Sequence, residues 1–231
     1  DKTVPTISSV SLASDNSTIA VTFSEAVYNT NGGSGSLEVG DFALSIIGGV
    51  GTVTTTPTSI SASGNVYTLG ISLSGTPNGN ETLTAVPVDN GIYDAAGNEA
   101  STSQSNNTAT LNDKAAPTVT FSPANNATGV AVDRNITITF NEAVQKIDDS
   151  ALTDTNVDAL VTLKTTNASG SDISFDATIN DGKTVITINP SSDFSSEQVV
   201  YVAIGATVED TAGNAIAASN ITFTVLNTAA T

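Results

Sequence analysis

The sequence predicts an all-β protein made of two antiparallel β-sandwich domains in tandem, and three observations lead to that prediction. A chain of 231 residues is long enough for two domains of ordinary size. Short segments of alternating polar and apolar residues recur throughout, separated by turn residues, as expected for strands that bury one face. The opening residues 1–6 (DKTVPT) recur at 113–118 as DKAAPT. We therefore predict domains at 1–112 and 113–231.

Two further motifs repeat in the same order as the opening one. A Glu-Ala-Val triplet begins at Glu25 and again at Glu142, 117 residues later. An Asp-x-Ala-Gly-Asn motif begins at Asp94 and again at Asp210, 116 residues later. Three motifs in one order at nearly one spacing indicate an internal duplication. The Asp-x-Ala-Gly-Asn motif also predicts a tight turn, because Gly permits a positive φ and Asp or Asn caps its own turn.

The strands are assigned from the alternation of polar and apolar residues. Residues 18–24 (TIAVTFS) and 135–141 (NITITFN) each place aliphatic residues and Phe on one face. The Asn-Asp-Gly-Lys run at 180–183 is a strong hairpin signal. Short helical turns are predicted within 37–41 and 149–158. The other predicted strands are 7–13, 42–47, 50–61, 66–73, 81–88, 108–111, 118–121, 159–164, 173–179, 184–188, 198–204 and 220–226.

Composition excludes several classes of function. The net charge of −17, from 23 acidic and 6 basic side chains, argues against nucleic acid and against anionic membrane surfaces. Without Cys there are no disulfides, and without His there is no Ser-His-Asp triad and no usual ligand for a transition metal. No apolar run approaches the roughly 20 residues of a membrane span, so membrane insertion is not expected.

Several motifs together resemble a known family. Residues 140–144 (FNEAV), preceded by 122–130 (SPANNATGV) and followed by the turn at 210–214 (DTAGN), resemble the bacterial Ig-like domains of S-layer proteins and large surface adhesins. The first domain shares FSEAV and DAAGN but lacks the SPANN stretch, and so resembles a sister subtype. The resemblance implies tandem Ig-like domains of a secreted protein at the cell surface, which serve as spacers or adhesive stalks and often bind calcium.

The topology of an Ig-type sandwich predicts where acidic residues meet. The first strand leaves the N-terminal pole, the second returns to it, and the loop before the last strand lies there too. Asp113 precedes the first strand of its domain, Glu142 ends the second, and Asp210 opens the turn before the last. We expect these three side chains to converge. The corresponding residues of the first domain are Asp1, Glu25 and Asp94.

Converging carboxylates favour a cation, and a structural alternative stays open. Carboxylate oxygens suit Ca²⁺, Mg²⁺ prefers a tighter octahedron with several waters, and the lack of His and Cys disfavours zinc and copper. The sequence therefore predicts a Ca²⁺ site at the N-terminal pole of each domain. In the alternative, the Asp side chains only cap their turns, and the Glu side chains pair with lysine or are solvated. A second acidic group is a solvated loop or, less favoured, a ligand site; it comprises Asp148, Asp149, Asp154 and Asp158.

Two functions follow as expectations, and neither is enzymatic, because the acidic residues recur at turn positions in both repeats. The first is a calcium-stiffened spacer, adhesive stalk or S-layer component outside the cell, whose partners are neighbouring Ig-like modules of the same polypeptide. The alternative is an accessory module that binds a cell-surface carbohydrate or protein, in an adhesin or an extracellular hydrolase. Trp is absent, and the four tyrosines are scattered along the sequence, which disfavours a sugar platform.

Overall fold

The alternating segments form paired strands throughout the computed structural model, which describes residues 2–228. The chain divides into two units, Asp1–Ala115 and Ala116–Thr231, so the division falls three residues beyond the predicted one. Both units are all-β, and the predicted fold class of tandem antiparallel sandwiches is confirmed. The helical content of the described residues is two 3₁₀ helices, Val39–Asp41 and Val157–Leu160. Within the same residues, no helix is long and apolar enough to cross a bilayer.

In the described part of the first domain, residues 2–115, the strands number nine and form antiparallel pairs. They are β1 (Ile7–Leu12), β2 (Thr18–Phe23), β3 (Phe42–Ile47), β4 (Thr52–Val53), β5 (Ile60–Ser63), β6 (Val66–Gly70), β7 (Leu73–Ser74), β8 (Thr82–Pro87) and β9 (Thr108–Thr110). One sheet has the order β1-β2-β6-β5, a second has the order β3-β8-β9, and β4 pairs with β7. The single strand predicted over 50–61 is wrong: β4 and β5 are separated by a bend around Pro57, which has no N–H to donate to a sheet.

Residues 116–228, the described part of the second domain, form ten strands, and one pair of them is parallel. They are β10 (Val119–Ser122), β11 (Ala127–Val130), β12 (Ile136–Phe140), β13 (Gln145–Lys146), β14 (Val161–Thr165), β15 (Phe175–Ile179), β16 (Val185–Pro190), β17 (Val199–Ile204), β18 (Val208–Glu209) and β19 (Ser219–Val225). The two main sheets have the orders β10-β12-β16-β15 and β11-β19-β17-β14, and β13 pairs with β18. Strand β11 runs parallel to β19, and the other pairs are antiparallel.

The predicted core faces of the two equivalent strands are confirmed. In β2 the side chains of Ile19, Val21 and Phe23 are buried. In β12 the buried side chains are those of Ile136, Ile138 and Phe140. Each domain has its own cluster of buried apolar residues around these strands. Each such large side chain contributes roughly 1.5–3 kcal/mol relative to leaving it in water, so the alternating pattern sets which face turns inward.

Candidate metal site

The three carboxylates of Asp113, Glu142 and Asp210, which were predicted to converge, do lie together. One carboxylate oxygen from each of Asp113, Glu142 and Asp210 lies within 4.8 Å of the others. Asp210 is buried, and Asp113 and Glu142 are partly buried. At 4.8 Å, two unit negative charges repel by roughly 1 kcal/mol in water and roughly 3.5 kcal/mol at the effective dielectric of a protein surface. The group is therefore an electrostatically unfavourable arrangement that a cation would relieve.

The strand pairing brings these three residues to one place. Strand β10 pairs antiparallel with β12, so the segment before β10 runs beside the segment after β12. The contact continues past the strands, because Thr118 N donates to Asn141 Oδ1 at 2.6 Å. Strand β18, which ends next to Asp210, pairs with β13 shortly after Glu142. The β10 and β12 strands follow from local sequence, whereas the short β13–β18 pair was not predicted, and the meeting of the two pairs at one pole is a consequence of the sandwich.

The hydrogen bonds of Asp210 are those of the capped-turn alternative. Its Oδ1 accepts from Ala212 N at 2.8 Å and from Asn214 N at 2.9 Å. Its Oδ2 accepts from Asn214 Nδ2 at 2.8 Å. Gly213 has a φ of 86°, a conformation that favours glycine. A carboxylate has about four acceptor positions, so capping this turn leaves room for a cation as well.

Asp113 and Glu142 also have hydrogen-bond partners close by in the sequence. Asp113 Oδ1 accepts from Ala115 N at 2.8 Å, which fixes the side chain against the segment that enters β10. Glu142 Oε1 accepts from Asn141 Nδ2 at 3.4 Å. These contacts orient both carboxylates. Three monodentate carboxylates would supply three of the six to eight oxygen ligands of Ca²⁺, with backbone carbonyls and water as the ordinary remainder.

The equivalent group of the first domain is only partly described. Asp1 lies outside the described residues, and within residues 2–228 Glu25 and Asp94 do not belong to a group of three carboxylates. Asp94 is buried and caps its turn: it accepts from Asn98 N and from Asn98 Nδ2, both at 2.7 Å. These bonds, led by that from the Asn98 amide, lower the pKa of the Asp94 carboxyl. The cation site at this pole stays a prediction.

The second acidic group has structural contacts throughout. Asp154 Oδ1 accepts from Ile179 N at 2.9 Å, and Asp158 Oδ1 accepts from Ala177 N at 2.7 Å, so both carboxylates cover the outer edge of β15. Asp148 lies in an exposed loop. Hydrogen bonds from Ser150 and then from Lys146 lower its pKa to about 2. These contacts give Asp154 and Asp158 a role as caps of β15 and Asp148 a role within its own loop, and they favour a structural role for this acidic group.

Sequence reasoning missed the fully buried carboxylate of Glu81. Glu81 is fully buried, and its Oε1 accepts from Val50 N at 2.8 Å and Gly51 N at 3.1 Å. Its Oε2 accepts from Asn78 N at 3.1 Å. Burial alone would raise the pKa of Glu81, but the backbone donors outweigh it and the pKa is lowered. The sequence feature that could have indicated this role is the position of Glu81, the first charged residue after a long uncharged segment, residues 42–80.

A shallow cleft lies at one edge of the first domain. It encloses about 330 Å³ and is lined by Val27, Tyr28, Gly35, Ser36, Leu37, Ile60, Ser61, Ala62 and Tyr67. Its lining contains no charged side chain. Two of the four tyrosines that are scattered in the sequence are therefore close together in the fold.

Comparison with known proteins identifies the class. The family model for the bacterial Ig-like domain matches residues 113–225. This range includes Asp113, Glu142 and Asp210 and nearly all of the described second domain. The fold and its closing turn define an Ig-like sandwich protein. The match lies in the second domain and confirms the resemblance to bacterial Ig-like domains that its motifs predicted.

Three solved structures are similar to this chain at low identity and low TM-score. The N-terminal part of the bacterial S-layer protein SbsC is 18% identical, with 96% of this chain and 44% of that one covered, at a TM-score of 0.34. CopC from Methylosinus trichosporium OB3b is 14% identical, with 48% and 95% covered, at a TM-score of 0.33. Titin A168169 is 8% identical, with 96% and 99% covered, at 0.34. The chain thus spans less than half of the S-layer structure. A search of curated proteins found no match.

Proposed function

We propose that the chain is a non-catalytic spacer or adhesive-stalk segment of a secreted bacterial surface or S-layer protein, stiffened by calcium. The family of the second domain supports the surface role. The observation that carries the calcium role is the convergence of Asp113, Glu142 and Asp210 within 4.8 Å. An all-oxygen donor set with a formal charge of −3 suits a hard divalent cation, and among these Ca²⁺ tolerates irregular geometry best.

The stiffening argument concerns the segment that connects the two domains. At the end of the first domain, Asn112 N donates to Asn16 Oδ1 at 2.9 Å, and Asn16 Nδ2 donates to Asn112 O at 2.8 Å. Asp113 is the next residue. A cation shared by Asp113, Glu142 and Asp210 would hold that residue on the second domain. Few rotatable bonds of the connecting segment would then stay free. Ion binding would offset the entropic cost of fixing the others.

Small-angle scattering in calcium and in chelator tests the proposal. We expect calcium to narrow the distribution of overall dimensions of the 231-residue chain and to raise its melting temperature. Asp113→Ala should behave in calcium as the wild type does in chelator. Asp176→Ala removes one exposed carboxylate away from the group and is the matched control. Identical scattering curves with and without calcium would contradict the stiffening role.

The alternative function, an accessory module that binds carbohydrate or protein at the cell surface, rests on the first-domain cleft. Tyr28 and Tyr67 both line it. Tyr67 is buried and donates its hydroxyl to Val27 O at 3.2 Å, so Tyr28 is the more available ring. A glycan array probed with the wild type and with Tyr28→Ala tests the carbohydrate form. Binding that the substitution abolishes would favour this alternative, and an array without binding would remove its carbohydrate form.

A further inference from the structure

The outer strand β5 of the first domain has an open edge. In the sheet order β1-β2-β6-β5, it pairs on one side only, with β6. In strand β6, the backbone N–H and C=O groups of Tyr67 and Leu69 face β2. This follows from the bonds at the two ends of the strand, where Phe23 N donates to Asn65 O and Ile71 N donates to Ser17 O. The backbone groups of β6 that face β5 are therefore those of Thr68 and Val66, which pair with Ser61 and Ser63.

The backbone groups of Ile60 and Ala62 consequently point away from the sheet. In the described part of the chain, no hydrogen bond occupies the outward N–H or C=O of either residue. A row of unpaired donors and acceptors at a sheet edge is a template for another strand.

The second domain closes the equivalent edge with its own side chains. Strand β15 occupies the same position in the order β10-β12-β16-β15. Two of its outward N–H groups, those of Ala177 and Ile179, donate to Asp158 and Asp154. One domain therefore protects this edge with carboxylates, and the other leaves it open.

The open edge also lacks the charges that usually protect one. Residues 42–80, which include β3 to β7, contain no Asp, Glu, Lys or Arg, although the whole chain carries 29 such residues. Natural edge strands are commonly protected by charged side chains, Pro or a bulge. β5 (Ile60–Ser63) has no charged residue and no Pro.

The uncharged cleft lies along the same edge. Ile60 and Ala62 line it, and they pair with Leu69 and Tyr67, whose side chains are buried in the core. The core-facing side of β5 is thus the side that opens into the cleft. A strand added beside β5 would point every second side chain into this cleft, because side chains alternate between the two faces of a sheet.

We propose that β5 and this cleft bind an extended, uncharged segment of a partner protein by strand addition. Backbone hydrogen bonds to Ile60 and Ala62 would hold the segment, and an apolar side chain in the cleft would select it. Self-pairing of β5 in a second copy fits less well. It would bring together two chains of net charge −17 and would offer the cleft nothing larger than Ile60. The proposal deepens the accessory-binding alternative above and is independent of calcium.

A displayed library of random nine-residue peptides tests the proposal on the full chain. Ala62→Pro removes one outward N–H without removing a bond to β6. Peptides that also bind this variant are removed from the library. Ala62→Leu keeps the N–H but fills the cleft. Ser63→Ala alters the opposite face of β5 outside the cleft lining and is the matched control. Thermal unfolding by circular dichroism checks that each variant folds.

We expect the selected peptides to alternate apolar and polar uncharged residues. A synthetic peptide of the consensus should bind the wild type and Ser63→Ala alike. It should bind Ala62→Pro about tenfold or more weakly, as for one lost backbone hydrogen bond, and should also bind Ala62→Leu more weakly, because the larger side chain fills the cleft. Every second peptide nitrogen should face β5. N-methylation of that set should abolish binding, and N-methylation of the other set should not. Amide exchange at Ile60 and Ala62 should slow in the complex.

Three results would overturn the proposal. The first is a library that enriches nothing over Ala62→Pro. The second is a consensus peptide that both Ala62 variants bind as tightly as the wild type does. The third is a dimer of the chain that Ala62→Pro dissociates, because the occupant of the edge would then be a second copy. Glycan binding unaffected by Ala62→Pro, without peptide binding, would leave the accessory function standing and remove strand addition.

Discussion

The side-chain amide of Asn214 donates to Asp210 Oδ2 at 2.8 Å, and the backbone N–H of Asn214 donates to Oδ1 of the same carboxylate at 2.9 Å. The equivalent turn of the first domain repeats both bonds, from Asn98 to Asp94. The Asp-x-Ala-Gly-Asn motif is therefore a turn that closes on its own carboxylate. A cation at Asp210 would bind to an oxygen whose position the turn already fixes.

The first prediction concerns this turn in the first domain. Asp94→Asn should lower the melting temperature at neutral pH, because a neutral amide replaces a charged acceptor that faces the Asn98 amide. The folded pKa of Asp94 is lowered from its ordinary value of 3.8, so the stabilisation is present above that value and is lost as pH falls below it. Melting curves of wild type and variant from pH 7 to pH 2.5 should therefore converge at the acidic end. An equal difference at every pH would contradict the account.

The second prediction concerns the buried carboxylate. Glu81→Gln places an amide NH₂ where a carboxylate oxygen now accepts a backbone N–H, leaving a buried donor unpaired. The expected loss in free energy of unfolding is about 1–3 kcal/mol, measured by urea denaturation. The lowered pKa of Glu81 means that this contribution is present above about pH 4.5, its ordinary value, and is lost as pH falls further. A variant as stable as the wild type at pH 7 would show that Glu81 does not hold its loop.

The third prediction uses two glycines of the first domain as a matched pair. Gly49 has a φ of 56°, and a Cβ there would collide with the Glu81 carboxylate. A Cβ on Gly40 would meet nothing within 4 Å. Gly49→Ala should therefore destabilise the domain by more than 1 kcal/mol (about 1–3), and Gly40→Ala should be close to neutral. Equal effects, measured by urea denaturation, would contradict the packing around Glu81.

The fourth prediction concerns the protected edge of the second domain. Asp158→Ala leaves the Ala177 N–H without its acceptor, and Asp154→Ala does the same for Ile179. Each substitution should cost about 1 kcal/mol of stability and speed amide exchange at the residue it uncovers, because β15 is an outer strand. Exchange at the two amides is the readout, and each variant is the control for the other. Unchanged exchange at both positions would show that the carboxylates do not cover the edge.

Sequence alone predicted the features that depend on local periodicity. The buried faces of β2 and β12, with Phe23 and Phe140 at their ends, follow directly from alternation. The hairpin between β15 and β16 follows from the Asn-Asp-Gly-Lys run, in which Lys183 adopts a φ of 55°. The convergence of Asp113 with two remote acidic residues required one further premise, the strand order of an Ig-type sandwich.

The features that sequence did not predict depend on contacts between distant segments. Strand β11 pairs in parallel with β19, and its residues 127–130 (ATGV) lack the length and alternation that mark a strand. The role of Glu81 is set by three backbone donors, two of which are about 30 residues away. Which of β5 and β15 has an open edge depends on the hydrogen bonds of Asp154 and Asp158 with a strand about 20 residues further on, because an outward N–H carries no sequence signal of its own.

The most direct test of the central claim is a calorimetric titration of the chain with calcium after removal of metal by chelator. The account predicts a binding event that is present in the wild type and in Asp176→Asn, and that Glu142→Gln abolishes or weakens by at least about tenfold, as expected for the loss of a charged ligand. Heat of the same size and affinity in Glu142→Gln, or no calcium-dependent heat in the wild type, would contradict the claim that Asp113, Glu142 and Asp210 hold the ion.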